Sequence, residues 1–104
     1  MTLTSAGTVS DFSKLSNIDQ LVLADGGNNV DLSNADTAGI TAVIGGSGAD
    51  SIDVSGYTGS VNISAGAGND TLVGNGASTL QGGADNDTYI LTSNSDTVVD
   101  DSGT

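Results

Sequence analysis

Three short stretches rich in Gly and Asp recur along this chain, and their spacing constrains the fold more than any other feature. The stretches are residues 45–50, 65–70 and 82–87. Each ends in Asp and is followed two residues later by a large apolar residue. Glycines allow tight turns, and the apolar residue marks the strand that follows. A turn that leads into a strand, repeated at steps of 20 and 17 residues, indicates a repeat architecture.

Short apolar segments with period-2 alternation form two interleaved series. The first series contains Leu21, Leu23, Ile40, Ala42, Ile44, Val61, Ile63, Leu80 and Val98. The second series contains Val30, Leu32, Ile52, Val54, Leu72 and Tyr89. Two strands and two turns make one coil, and stacked coils pair as parallel sheets. The sequence therefore predicts an all-β fold, a parallel β-solenoid (β-roll) of about four to five two-stranded coils over residues 19–104.

The first 18 residues fit this repeat poorly. Val9, Phe12, Leu15 and Ile18 are spaced every third residue, which is closer to a helical period than to a strand period. Because the end of a solenoid exposes apolar interior and open sheet edges, we expect residues 1–18 to form an irregular or short-helical N-terminal cap.

The composition limits the kinds of partner and metal that the chain can bind. The formal charge is -12, and the only basic residue is Lys14. Such a chain repels phosphate backbones and anionic lipids, so nucleic acid and membrane surfaces are poor partners, whereas cations are favoured. The absence of Cys and His excludes disulfides and makes a zinc site a poor expectation. No apolar run approaches the roughly 18 residues of a membrane span.

The same composition argues against catalysis. A serine nucleophile would lack its usual base, because the chain has no His, Cys or Glu, and only Asp remains for acid–base work. We predict that the chain is not an enzyme.

The repeated turns suit calcium. Calcium takes about six to eight oxygen ligands, which two stacked turns can supply and one cannot. We predict one ion between the first and second stretches and another between the second and third. The expected carboxylate ligands are Asp50, Asp70 and Asp87. The expected carbonyl ligands are those of Gly46, Gly48, Gly66, Gly68 and Gly83.

Two further features leave alternatives open. Asp85 stands where the fourth residue of the turn is otherwise Gly, and its carboxylate either joins the site or repels the others. A degenerate copy of the turn at residues 25–32 offers a third ion site through Asp31 or Asn28. The alternative to metal is a stack of turns held by hydrogen bonds alone.

The repeats resemble the nonapeptide Gly-Gly-x-Gly-x-Asp-x-U-x, in which U is a large apolar residue, of the RTX (repeats-in-toxin) family. The resemblance covers residues 45–90, and residues 45–53 match fully. Ala65 and Asp85 depart from it. The resemblance implies a parallel β-roll with calcium between turns on the same side. It also implies an extracellular or cell-surface bacterial location, as in surface-layer proteins, adhesins and type I-secreted proteins.

These observations lead us to expect a calcium-binding structural module that folds when calcium binds and self-associates through its solenoid ends. The alternatives are a C-terminal secretion or folding module excised from a type I-secreted enzyme or toxin, and an ice- or polysaccharide-binding solenoid. We expect Tyr57 to pack in a turn and Tyr89 to lie in the core.

Overall fold

The computed structural model describes residues 8–9, 20–23, 25–32, 39–57, 59–91 and 95–99. These residues contain ten short β-strands and no helix. The strands are β1 Thr8–Val9, β2 Gln20–Val22, β3 Asn29–Asp31, β4 Ala42–Ile44, β5 Ser51–Asp53, β6 Asn62–Ala67, β7 Thr71–Val73, β8 Thr79–Ala84, β9 Thr88–Ile90 and β10 Thr97–Val99. In the described part of the chain, no helix is long and apolar enough to cross a membrane.

The strands form two parallel sheets of five strands each. One sheet has the order β1-β3-β5-β7-β9 and the other β10-β8-β6-β4-β2. Consecutive strands alternate between the sheets, so the chain winds as a solenoid and the predicted fold class is confirmed. About three turns are complete, slightly fewer than the predicted coil count, and β1 and β10 extend the sheets at the two ends.

Apolar residues at equivalent strand positions stack into rows between the sheets. One row consists of Val30, Ile52, Leu72 and Tyr89. Another consists of Leu21, Val43, Ile63, Leu80 and Val98. Most of these side chains are fully buried, because the period-2 alternation turns the same position of each strand inward.

Strand β4 corrects one detail of the sequence prediction. Ala42 and Ile44 were expected to point inward with Ile40, but Val43 is the fully buried residue of β4, and Ala42 and Ile44 are only half-buried. Ile40 is fully buried from the turn before the strand. The strict alternation therefore breaks between Ile40 and β4, since a turn residue is not bound to the pleat of the strand.

The two corners of the coil differ. The first corner leads from the sheet of β2 to the sheet of β3 and contains, among the described residues, 23, 25–28, 45–50, 68–70 and 85–87. The second corner leads back and contains, among the described residues, 54–57, 59–61, 74–78, 91 and 95–96. Strands β6 and β8 run on to Ala67 and Ala84, so the first part of two predicted calcium loops pairs as strand. Gly and Ala have little or no side chain to interrupt that pairing.

The ends of the solenoid bear on two predictions. Within the predicted N-terminal cap, Thr8–Val9 pairs with β3, while residues 1–7 and 10–18 lie outside the described residues. At the other end, Val98 continues the row of Leu80 and Leu91 directly follows β9, yet these two side chains are 39% and 45% exposed. The apolar interior is therefore uncovered at the C-terminal end of the described solenoid.

Candidate metal centre

Four polar residues form a row along the first corner. Asn28, Asp50, Asp70 and Asp87 each stand directly before a strand of the same sheet, at equivalent positions of successive coils. Neighbouring strands are about 4.8 Å apart, so the row places one side chain per coil along the solenoid axis. The structure thus places the three predicted carboxylates in one row. We call these four residues the corner row.

Hydrogen bonds fix the orientation of each carboxylate in the corner row. Oδ1 of Asp70 accepts a hydrogen bond from the backbone N–H of Asp50 at 2.8 Å. Oδ1 of Asp87 accepts one from the N–H of Asp70 at 3.1 Å. Oδ1 of Asp50 accepts one from the N–H of Asn28 at 2.9 Å. Each side chain therefore reaches back to the preceding coil and helps to hold the stack in register.

The second oxygen of each carboxylate has no such partner. Oδ2 of Asp50, of Asp70 and of Asp87 is buried and makes no hydrogen bond to the described residues. Asp50 is only 2% exposed and Asp70 only 1%. A buried polar atom without a partner costs about 1–3 kcal/mol, and more when it is charged. The corner row therefore presents acceptor oxygens that need a proton or a cation.

The pKa of Asp70 also reflects this lack of a donor or cation beside the buried carboxylates. It is raised from 3.8 to about 6, first by burial, while the N–H of Asp50 lowers it and the neighbouring carboxylates of Asp50, Asp87 and Asp85 raise it further. The chain has a single basic residue, Lys14, which lies outside the described residues. No cationic side chain in the described residues therefore compensates the row.

Asn28 ends the corner row with an amide instead of a carboxylate. Its Nδ2 donates to Oδ1 of Asp50 and to the carbonyl oxygen of Gly26, both at 2.9 Å. Asn28 is 4% exposed, so this NH2 group satisfies two acceptors inside the corner. The later members of the row carry an oxygen in place of that nitrogen and have no donor to offer.

Three of the predicted carbonyl ligands, those of Gly46, Gly48 and Gly66, lie against the next coil at or beside this corner. A Cβ atom on Gly66 would collide with the carbonyl oxygen of Gly46, and one on Gly68 would collide with that of Gly48. The carbonyl of Gly66 approaches Gly83 in the same way. The carbonyl of Gly46 also accepts a hydrogen bond from Ala67 at 3.0 Å. Only glycine permits this close approach of successive turns.

Asp85 lies outside the buried row. It stands at the position equivalent to Gly68 and adopts a left-handed φ of 77°, which costs an L-residue roughly 1–2 kcal/mol. Its exposed carboxylate accepts a weak hydrogen bond from the N–H of Gly68 at 3.2 Å. Asp85 therefore adds negative charge beside the row without entering it.

The row is linear, and this limits how it can hold an ion. Among the described residues, no three acidic side chains converge as a ready metal cluster. Asp31, proposed for a third ion, pairs with Asp53 in the sheet and lies beyond the corner. Any ion at the first corner would thus take carboxylates from two neighbouring coils and complete its shell with carbonyl oxygens.

The second corner contains a related hydrogen-bonded carboxylate, that of Asp96, which we did not predict from the sequence. Oδ1 of Asp96 accepts hydrogen bonds from the N–H groups of Gly76 and Ser78, both at 2.9 Å. Its Oδ2 is buried and makes no hydrogen bond to the described residues. Like the Asp residues of the corner row, Asp96 directly precedes a strand; that position is the signal that could have identified it.

Comparison with known proteins identified no relative of this chain. No family model, no curated protein and no solved structure matches the chain. The described surface contains no pocket. The class of the molecule is therefore stated from its own geometry, as a parallel β-solenoid with a buried row of carboxylates at one corner.

Proposed function

We propose that this chain is a calcium-binding structural module whose solenoid is completed when calcium binds at the first corner. The observation that carries the proposal is the corner row, in which Asp50, Asp70 and Asp87 each bury one carboxylate oxygen that has no hydrogen-bond partner among the described residues. A cation placed beside such oxygens removes both their desolvation cost and their mutual repulsion.

The ligand chemistry favours calcium over other metals. The corner offers carboxylate and carbonyl oxygens, and the chain has no Cys or His to attract a softer ion. One ion would lie between Asp50 and Asp70 and another between Asp70 and Asp87, with Asp70 shared. The carbonyls of Gly46, Gly48, Gly66, Gly68 and Gly83 would complete the shells. Two divalent ions would change the formal charge from -12 to -8 (-12 + 4).

Electrostatics explains why folding would respond to calcium. Two carboxylates about 5 Å apart repel each other by about 3 kcal/mol at an effective dielectric constant of about 20. The row contains two such neighbouring pairs, so without cations it opposes the stacking of its coils. Binding that is restricted to the folded state stabilises that state by mass action. External calcium would then favour the solenoid and low intracellular calcium would not, which suits a secreted or cell-surface location.

The test is isothermal titration of the chelator-treated chain with calcium, followed by circular dichroism on the same sample. We expect calcium binding to be accompanied by a rise in β signal. Asp70→Asn should weaken binding at both positions, because Asp70 is shared. Asp96→Asn is the matched control, since Asp96 has the same hydrogen-bonding arrangement at the corner without repeated Gly/Asp turns, and it should leave the ion count unchanged.

A second candidate is a solenoid in which the Asp side chains hold the coils together by hydrogen bonds without metal. The contacts of Asp96 favour this candidate. Within the described part of the chain, Oδ2 of Asp96 has no hydrogen-bond partner although it lies outside any Gly/Asp repeat, so such oxygens also occur at a corner with no predicted ion. In this case each carboxyl would hold its stack through Oδ1 alone. Absence of heat and of any spectral change at millimolar calcium would establish this candidate and reject the calcium module.

A further inference from the structure

We propose that Asn28 takes the place of a cation at the first junction of the corner row, so that the coils carrying Asn28 and Asp50 stack without calcium. The inference rests on the proposed function for the two later junctions, Asp50–Asp70 and Asp70–Asp87. It divides the solenoid into a metal-independent N-terminal part and a calcium-dependent C-terminal part.

The contacts of Asn28 carry this assignment. Its Nδ2 bridges the carboxylate of Asp50 and the carbonyl of Gly26 at 2.9 Å each, and its backbone N–H donates to the same Asp50 oxygen. A single buried amide thus serves two oxygen acceptors, one on its own coil and one on the next. In the proposed function, calcium bridges the oxygens of neighbouring coils in the same way at the later junctions of the row.

The junctions also differ in charge. The junction between Asn28 and Asp50 contains one carboxylate, whereas each later junction contains two. The first junction therefore lacks the repulsion of about 3 kcal/mol estimated for each later pair. Beside the first junction, the N–H of Ser47 donates to Oδ1 of Asp25 at 3.1 Å, as the N–H of Gly68 donates to Asp85 beside the last junction. Neutral amide donors are sufficient to hold these two coils together.

Directional folding follows from this asymmetry. In a solenoid, each coil contacts only its neighbours, so a stable pair of coils can template the addition of the next. The coils of β2 to β5 would remain paired in chelator and present open sheet edges. Calcium would then add the coils of β6 to β9 onto those edges, from the N-terminal side toward the C-terminal side.

Reciprocal substitutions test the inference. Asn28→Asp removes the bridging NH2 group and creates a third junction with two carboxylates. Asp50→Asn makes the opposite change one coil later. Asn62→Asp is the matched control, because Asn62 is exposed on a sheet face and gains the same charge away from the corner row. Melting temperatures in chelator and in calcium, and ion counts from calorimetry, are measured for the parent chain and all three variants.

We expect Asn28→Asp to lower the melting temperature in chelator by about 5 °C or more relative to Asn62→Asp. Calcium should restore it, with one more ion bound than in the parent chain. Asp50→Asn should raise the melting temperature in chelator and bind one ion fewer. Hydrogen exchange of the parent chain in chelator should protect β3 and β5 more than β7 and β9.

The inference is overturned if Asn28→Asp matches Asn62→Asp in chelator, or if calcium fails to restore its stability. These results are separable from failure of the proposed function, in which the parent chain itself binds no calcium. Asp50→Asn keeps the test decisive if Asn28→Asp does not fold. If an amide substitutes for a cation, then an amide at residue 50 must also stabilise the metal-free chain at the Asp50–Asp70 junction.

Discussion

The hydroxyl of Tyr57 donates a hydrogen bond to the backbone carbonyl of Ile40 at 2.8 Å, in a buried setting. The two residues are 17 positions apart, so this contact joins one coil to the preceding one on the second-corner side of the solenoid. Tyr57 is 7% exposed and belongs to the apolar core. The expectation that it packs in a turn is confirmed, and its hydroxyl has a structural role that the sequence did not reveal.

Replacing Tyr57 by Phe should therefore destabilise the fold without affecting the first corner. The ring is kept, but the carbonyl of Ile40 loses its buried donor, which should cost about 1–2 kcal/mol. Denaturant unfolding in saturating calcium measures the loss, and calorimetry should show the same ion count as in the parent chain. An unchanged unfolding midpoint would mean that water replaces the hydroxyl and that the contact is energetically neutral.

Gly45→Ala should be among the most damaging single changes at the first corner. A Cβ atom there would lie 2.6 Å from Oδ2 of Asp50 and would overlap the carbonyl oxygen of Ala65. Both neighbours are held in the stack, so we expect a loss of more than about 2 kcal/mol together with weakened calcium binding.

Gly39→Ala provides the comparison for this variant. Gly39 has a φ of +74°, and no heavy atom of the described residues lies within 4 Å of the added Cβ, so the described structure predicts a penalty of backbone conformation, at about 1 kcal/mol. Thermal unfolding and calcium titration of the two variants separate crowding at the corner from backbone strain. Equal losses in both would contradict the steric account of Gly45.

The stability of the metal-free chain should fall as the pH rises from about 4 to about 6. The pKa of Asp70 is raised from 3.8 to about 6 in the folded chain, so the folded state holds its proton more tightly than the unfolded state. The resulting stabilisation is fully present below about pH 4 and is lost through about pH 6. We expect the change to be on the order of 2 kcal/mol.

Urea unfolding at several pH values in chelator checks this pH dependence, and Asp70→Asn should flatten the profile. Calcium should act in the opposite sense, because it competes with the proton and requires the ionised carboxylate. Stability that rises with pH across this window in the absence of metal would show that the carboxyl of Asp70 is better solvated than its burial indicates.

Self-association through the solenoid ends stays a prediction. The exposed side chains of Leu91 and Val98 show where apolar surface is exposed at the C-terminal end, but no contact among the described residues identifies what covers it. Secretion, cell-surface location and the absence of catalysis likewise remain expectations from the composition and the RTX resemblance.

The repeat made most of the architecture accessible from sequence. Asp50, Asp70 and Asp87 each precede an inward-facing apolar strand residue by two positions. Because these strand residues stack in one row, the Asp residues stack at one corner, whatever the exact lengths of the other turns. The strand positions followed from the same periodicity. The error in β4, where Val43 and not Ile44 is buried, arose because alternation cannot be carried through a turn.

The sequence by itself determined the repeat, the two-sheet solenoid, the stacking of its Asp residues and an oxygen-only ligand chemistry. Only the tertiary structure decided how each carboxylate is used. Oδ1 is committed to the N–H of the preceding coil, Oδ2 is left buried with no hydrogen-bond partner in the part of the chain that the structure describes, Asp85 lies outside the row, and the amide of Asn28 closes one end. The physical reason is that these contacts join residues 17 to 22 positions apart, and their geometry depends on how the coils stack.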